Sequence, residues 1–214
     1  MRYGKISMVM VTLLLVILWG IQADAAGQGK GKSSRIPAPV PQTGQTQSFY
    51  AGDDGALEMG VPLPEPSFTD NGDGTVTDNL TKLVWLKNAD RFGLLTWEAA
   101  LIACNSLQDD DVDLTDGSIP GDWRLSNIKE LQSLLDYGYW NPCLSNALGT
   151  GKYVDGDPFV GVSLYGGGGG DNNYWSSTSN PEGSGLGLDF VDGQVRIMGK
   201  GDYTHYVWPV RNAN

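Results

Sequence analysis

"FTDNGDGTVTDNLTKLVWL", residues 68–86, holds Asp70, Asp73 and Asp78 within nine residues threaded with Gly72 and Gly74. A calcium loop and a β-hairpin both draw on that composition, and they predict different folds. A loop that wraps an ion needs oxygen ligands at alternate positions, then a glycine, then an acid at the twelfth position, with each oxygen about 2.4 Å from the ion. The alternates to Asp70 are Gly72 and Gly74, which carry no side-chain ligand. As strand and turn the stretch is self-consistent. Asn71-Gly72-Asp73-Gly74 is turn chemistry, Thr75-Val76-Thr77 alternates as a short strand, Asp78-Asn79 turns again, and Lys82–Leu86 is a buried strand. The stretch therefore predicts short antiparallel strands joined by tight turns, with turn-bound calcium as the alternative.

Two helices follow. "TWEAALIACNSL", residues 96–107, opens on Thr96 as N-cap and repeats Trp97, Ala100, Leu101, Cys104 and Leu107 at helical spacing. "NIKELQSLLD", residues 127–136, pairs Asn127 with Glu130 as a capping box and aligns Ile128, Leu131, Leu134 and Leu135 on one face. Between them lie Asp109, Asp110, Asp111, Asp113 and Asp116, whose spacing misses the calcium-loop pattern after Asp113, so a solvated acidic loop is expected. Later runs, "YWSST" (174–178), "LGLDFV" with "QVRIM" (186–198) and "HYVWPVR" (205–211), read as strands, and Asp192-Gly193 reads as a hairpin turn. Gly166–Gly170 are too permissive to pack and predict a loop that presents its neighbours.

The first 25 residues read as an export signal: Arg2 and Lys5 precede an apolar run from Ile6 to Ile21, and Ala23-Asp24-Ala25 fits a cleavage site. Residues 26–40, rich in Gly, Lys, Ser and Pro, read as a flexible linker before a domain over 41–214. Within that domain, residues 41–67 mix turn formers with scattered apolar residues, an extended segment with room for an edge strand. Removing Arg2, Lys5 and Asp24 from the 14 basic and 25 acidic residues leaves 12 and 24, a net charge of −12. Such a field opposes nucleic acid and anionic membranes, so neither is an expected partner once the signal is removed. Cys104 and Cys143 are the only cysteines, and export places them where a single disulfide is expected. A two-thiol metal site lacks further ligands because His205 is the only histidine, so neither metal nor cofactor is expected.

Six ordered motifs, "PQTGQT", "FTDNGDGTVTDNLTKLVWLKNA", "TWEAALIACNSL", "DGSIPGDWRLSNIKEL", "YWSST" and "YVWPVRN", together resemble the Lcl C-terminal domain family, named for the Legionella collagen-like adhesin. The resemblance runs from about Pro41 to Asn212 and implies an α+β domain of C-type-lectin-like fold, with two helices and small antiparallel sheets. One departure is Ser126, where the family usually has proline after "DWRL". Glycosaminoglycan binding by the namesake is not carried over to so acidic a chain. Trp85, Trp97, Trp123 and Trp175 sit beside apolar positions and are expected in the core, and Asp122-Trp123-Arg124 is expected to hold a structural ion pair or loop anchor.

The calcium-binding tripeptides of sugar-binding lectins do not occur, and no nucleophile motif or phosphate-cradling loop is present. The expectation is an exported, non-catalytic binding module, secreted, periplasmic or at the cell surface, that offers a lectin-like loop surface to a protein or carbohydrate. The alternative is a structural or assembly component of the bacterial cell envelope. Ligand contact is assigned to Tyr165, Asp171, Asn172, Asn173, Asp202, Tyr203 and His205, whose polar and aromatic mixture suits adaptable recognition.

Overall fold

The computed structural model describes residues 40–111, 113–164, 173–201 and 203–213. The expected export segment, nearly all of the expected linker and the Gly166–Gly170 loop lie outside them. In chain order the elements are helix α1 (Asp54–Leu57), strands β1 (Phe68–Asp70), β2 (Thr75–Asp78) and β3 (Leu83–Leu86), helix α2 (Trp97–Ser106), strand β4 (Arg124–Leu125), helix α3 (Ile128–Ser133), and strands β5 (Asn173–Ser179), β6 (Gly185–Asp189), β7 (Val195–Met198) and β8 (Pro209–Asn212). They form a five-stranded sheet ordered β1-β2-β3-β8-β4 and a three-stranded sheet ordered β5-β6-β7, all pairs antiparallel. The architecture is α+β with small antiparallel sheets.

The opening stretch folds as a hairpin in which Phe68 faces Asp78 and Asp70 faces Val76 across the turn at 71–74. Gly74 has φ +88°, and a side chain there would place its Cβ 1.9 Å from the Asp113 carbonyl oxygen, so only glycine fits. Both expected N-caps hold: the Thr96 hydroxyl accepts from the Ala99 N–H, and Asn127 with Glu130 completes a capping box. Ala100, Cys104 and Leu107 are buried along α2, as are Ile128, Leu131, Leu134 and Leu135 in and just beyond α3. Helix α1 has no apolar repeat and was not expected; Asp53 caps it by accepting from the Ala56 N–H. In residues 41–67 an isolated parallel bridge, Pro41 with Val61, stands where an edge strand had room to form.

The chain closes inside the larger sheet, between β3 and β4. β8 pairs with β3 on one side, Leu83 opposite Asn212, and with β4 on the other, Leu125 opposite Pro209. Pro209 has no N–H to give and is tolerated because it is the first residue of its strand. Trp208, just before it, is fully buried, with ring centroids of Trp85, Phe159, Tyr174 and Phe190 at 5.7, 4.9, 5.4 and 5.4 Å. Its indole N–H donates to the Leu86 carbonyl at 2.9 Å. Because Tyr174 belongs to β5 and Trp85 to β3, this cluster joins the two sheets. Parallel bridging between Tyr174 and Tyr206 does so at the backbone, the Trp175 N–H donating to the Tyr206 carbonyl at 2.9 Å.

The expected disulfide is corrected. Cys104 and Cys143 are both free and buried, and they sit in different parts of the core, too far apart to bond. Cys104 packs on α2 against Leu125, Trp175 and Val207, whereas Cys143 lies beside the Phe190 segment, its N–H donating to the Phe190 carbonyl at 2.8 Å. Burial pushes both thiols above their ordinary range, the condition of inert rather than reactive cysteines.

Trp208→Ala is expected to lower stability by about 3–5 kcal/mol in urea unfolding, with the two sheets loosening together in a single transition. Alkylation followed by mass spectrometry is expected to label neither cysteine in the native protein and both after denaturation without reductant; a denatured chain that needs reductant before it labels would restore the disulfide.

Candidate functional site

Asn173, Tyr203 and His205, three of the seven residues assigned to ligand contact, line one cleft of about 480 Å³. Tyr165, Asp171, Asn172 and Asp202 lie outside the described residues. The other walls come from Asp189 at the end of β6, from Arg196 to Met198 on β7, and from Gly199. Asn173 opens β5 and is buried, its carbonyl accepting from the Tyr206 N–H at 3.0 Å. His205 is 2% exposed; its backbone exchanges two 3.0 Å hydrogen bonds with Leu95, and its ring meets the edge of Trp175 at 4.5 Å. Tyr203 and Ile197 are 58% and 70% exposed and form an apolar lip. Gly199 admits the Tyr203 ring, which a Cβ there would meet at 3.3 Å.

The floor is polar and braced. One guanidinium nitrogen of Arg196 donates to Asp189 at 3.2 Å and to Asp192 at 2.9 Å, while the arginine side chain stays 41% exposed. The second oxygens of both acids hold the hairpin turn, Asp189 accepting from the Val191 N–H at 2.9 Å and Asp192 from the Gln194 N–H at 3.0 Å. The cation is thus fixed in direction yet reachable from solvent. Sequence reasoning missed Asp189, Arg196 and Ile197. The signal was present in opposite charges flanking an Asp-Gly turn, but a hairpin's own cross-strand pair accounts for them equally well. Chemically the lining offers hydrogen-bond donors, acceptors and an exposed ring; among its described residues there is no Ser, Thr, Cys or Lys to serve as nucleophile.

The acidic clusters serve local structure. Asp70 accepts from the Gly72 N–H at 3.0 Å and from Lys87 Nζ at 2.7 Å, and that lysine holds its carboxyl below the usual range. Asp73 accepts from the Thr75 N–H and hydroxyl at 3.0 and 2.6 Å, and Asp78 from the Leu80 N–H at 2.8 Å. Each carboxylate closes its own turn, and no three metal-ligating acids, histidines or cysteines converge among the described residues. The second cluster is less solvated than expected. The Asp116 side chain is fully buried and pairs with Arg211 Nε at 3.0 Å, and that guanidinium lies 5.3 Å from the Trp123 ring. Arg124 is paired too, but bidentately with Glu130 at 2.6 Å for both bonds, while Asp122 accepts from the Ile119 N–H. Trp85, Trp123 and Trp175 are fully buried; Trp97 is partly exposed beneath Lys200 Nζ at 3.5 Å.

Asp78 and Asp136 share a small cavity of about 20 Å³, together with Ser67, Ser133 and Ser145. Burial raises the pKa of both carboxyls above the usual 3.8. For Asp136 only the Gly138 N–H, at 2.8 Å, offsets it. A carboxyl raised in the native state binds its proton more tightly there than in the unfolded chain, so stability falls as pH rises through the native value. Asp70 has the opposite sign, but its transition lies below 3.8 and leaves neutral pH untouched.

A family model of the Lcl C-terminal domain matches residues 74–211. That is more than half of the chain, and the chain belongs to this family. The match runs from the turn before β2 to the end region of β8 and includes every described residue of the cleft. No curated protein and no solved structure gives a significant match.

The urea midpoint is expected to fall as pH is raised from 3.8 towards neutrality, and Asp136→Asn is expected to flatten that dependence while raising stability at neutral pH. An unchanged slope in Asp136→Asn would assign the effect to net charge instead.

Proposed function

We propose that the chain is an exported, non-catalytic binding module that presents a C-type-lectin-like loop surface to a protein or carbohydrate ligand, with the Asn173–His205 cleft at its centre. The observation that carries this reading is the pairing of an exposed apolar lip, the Tyr203 ring with Ile197, and a braced polar floor, Asp189 with Arg196. An aromatic face covers the apolar side of a sugar ring or a side chain, and fixed donors and acceptors select among hydroxyls or amides. Membership in the Lcl C-terminal domain family, and the adhesin for which that family is named, support an extracellular role. In this reading residues 1–25 direct export, residues 26–40 tether the domain, and Tyr165, Asp171, Asn172 and Asp202 take part in ligand contact.

A second reading, a structural or assembly component of the cell envelope, draws on a different observation. Val40, Phe49, Tyr50, Leu57, Met59 and Val61 are all exposed within one 22-residue segment, 40–61. Such a concentration of apolar side chains favours docking to another surface.

A glycan and protein array with the purified protein separates the two. A ligand whose affinity falls at least about fivefold on Tyr203→Ala, about 1 kcal/mol, and is unaffected by Phe49→Ser and Tyr50→Ser supports the cleft. The reverse pattern supports assembly through the N-terminal segment.

A further inference from the structure

The described arginines divide three to one. Arg124 is paired with Glu130, Arg196 with Asp189 and Asp192, and Arg211 with Asp116. Arg91 makes no ion pair among the described residues, and its Nε is buried without a hydrogen-bond partner. The backbone that carries it is held: Ala89 N–H donates to Val160 at 2.8 Å, Val160 N–H donates to Lys87 at 3.0 Å, and Arg91 N–H donates to Asn88 at 3.4 Å. A desolvated guanidinium N–H without an acceptor is unfavourable, and buried donors are nearly always satisfied. With 25 acidic against 14 basic residues in the chain, an internal partner would be easy to supply. Arg91 nonetheless keeps its charge without a counter-ion among the described residues.

Arg91 lines a second cleft, of about 380 Å³, whose other walls include Leu86, Val160, Lys87 and Asp113, and it shares no lining residue with the Asn173–His205 cleft. The remaining walls are Asn88 and the backbone at Gly72 and Gly74, whose φ values of +76° and +88° favour glycine. Lys87 is already neutralised by Asp70 at 2.7 Å, which leaves Arg91 as the cation available to a ligand.

We propose that this cleft binds a small monocarboxylate with an apolar body, its two oxygens accepting from the Arg91 guanidinium and its body lying against Leu86 and Val160. The planar fork of a guanidinium matches a carboxylate. A single negative charge is selected because Asp113 lines the same cleft and the chain as a whole is strongly acidic, which disfavours polyanions. The volume falls in the range of small-molecule sites, which are mostly apolar with a few placed polar groups.

Isovalerate and its neutral isostere isovaleramide test this by NMR titration of the purified protein at pH 7. Isovalerate is expected to shift the Leu86, Lys87 and Val160 amides saturably, with isovaleramide at least tenfold weaker. Arg91→Gln is expected to weaken isovalerate at least tenfold, Arg91→Lys to lose less because it keeps the charge without the fork, and Tyr203→Ala to change nothing. Equal binding of acid and amide, no saturable shift, affinity unchanged in both Arg91 variants, or sulfate binding more tightly than isovalerate would each overturn the proposal. None of these outcomes bears on ligand binding at the Asn173–His205 cleft.

Discussion

The indole of Trp208 sits where four aromatic rings from separate parts of the chain meet, and its N–H finds the Leu86 carbonyl at 2.9 Å. A buried tryptophan is stable only when its body is enclosed and its single donor is satisfied. Both conditions are met by residues far from it in sequence. Trp85 and Leu86 lie on β3, Tyr174 on β5 and Phe159 in an irregular segment, so the sheets and loops must all be in place together. The residues following Trp208 then form β8 between β3 and β4, which makes the last strand an interior strand of the larger sheet. The cleft depends on this closure, because Tyr203 and His205 reach it from the same terminal segment, in which Tyr206 is bridged to Tyr174.

Charge is used in two ways in this acidic chain. Many described carboxylates order loop backbone: Asp70, Asp73, Asp78, Asp109, Asp111, Asp122, Asp189 and Asp192 each accept from a backbone N–H two to eight residues away. Such bonds let loop backbone stay ordered with little apolar burial. The arginines tie these loops to one another and to the strands, most deeply at Asp116 and Arg211. An ion pair at that depth is held in place by the penalty of exposing either partner alone to an apolar interior. Arg91 departs from the pattern, and its departure coincides with an open cleft.

Much of the local structure was legible in the sequence. The hairpin at 68–78 follows from the missing ligands at Gly72 and Gly74, and both helix starts follow from Thr96 and the Asn127–Glu130 pair, because caps and turns are decided by side chains within a few residues of the backbone they serve. The late hairpin and the burial of Trp85, Trp123 and Trp175 followed from patterning. Three of the candidate contact residues proved to share a cleft, although Asp189, Arg196 and Ile197 were not foreseen beside them.

Separation in space was not legible in the sequence. The pairing of Cys104 with Cys143 was inferred from count and compartment, neither of which constrains distance, and the fold sends the two thiols into different parts of the core. The acidic loop looked solvated because nothing near Asp116 in sequence carries a cation; its partner Arg211 is 95 residues away, brought there by β8. The hairpins, the two longer helices, the acidity and the α+β class follow from residues close together along the chain. The sheet order, the clefts and the partner of each buried charge belong to the tertiary structure, because they depend on where the chain returns.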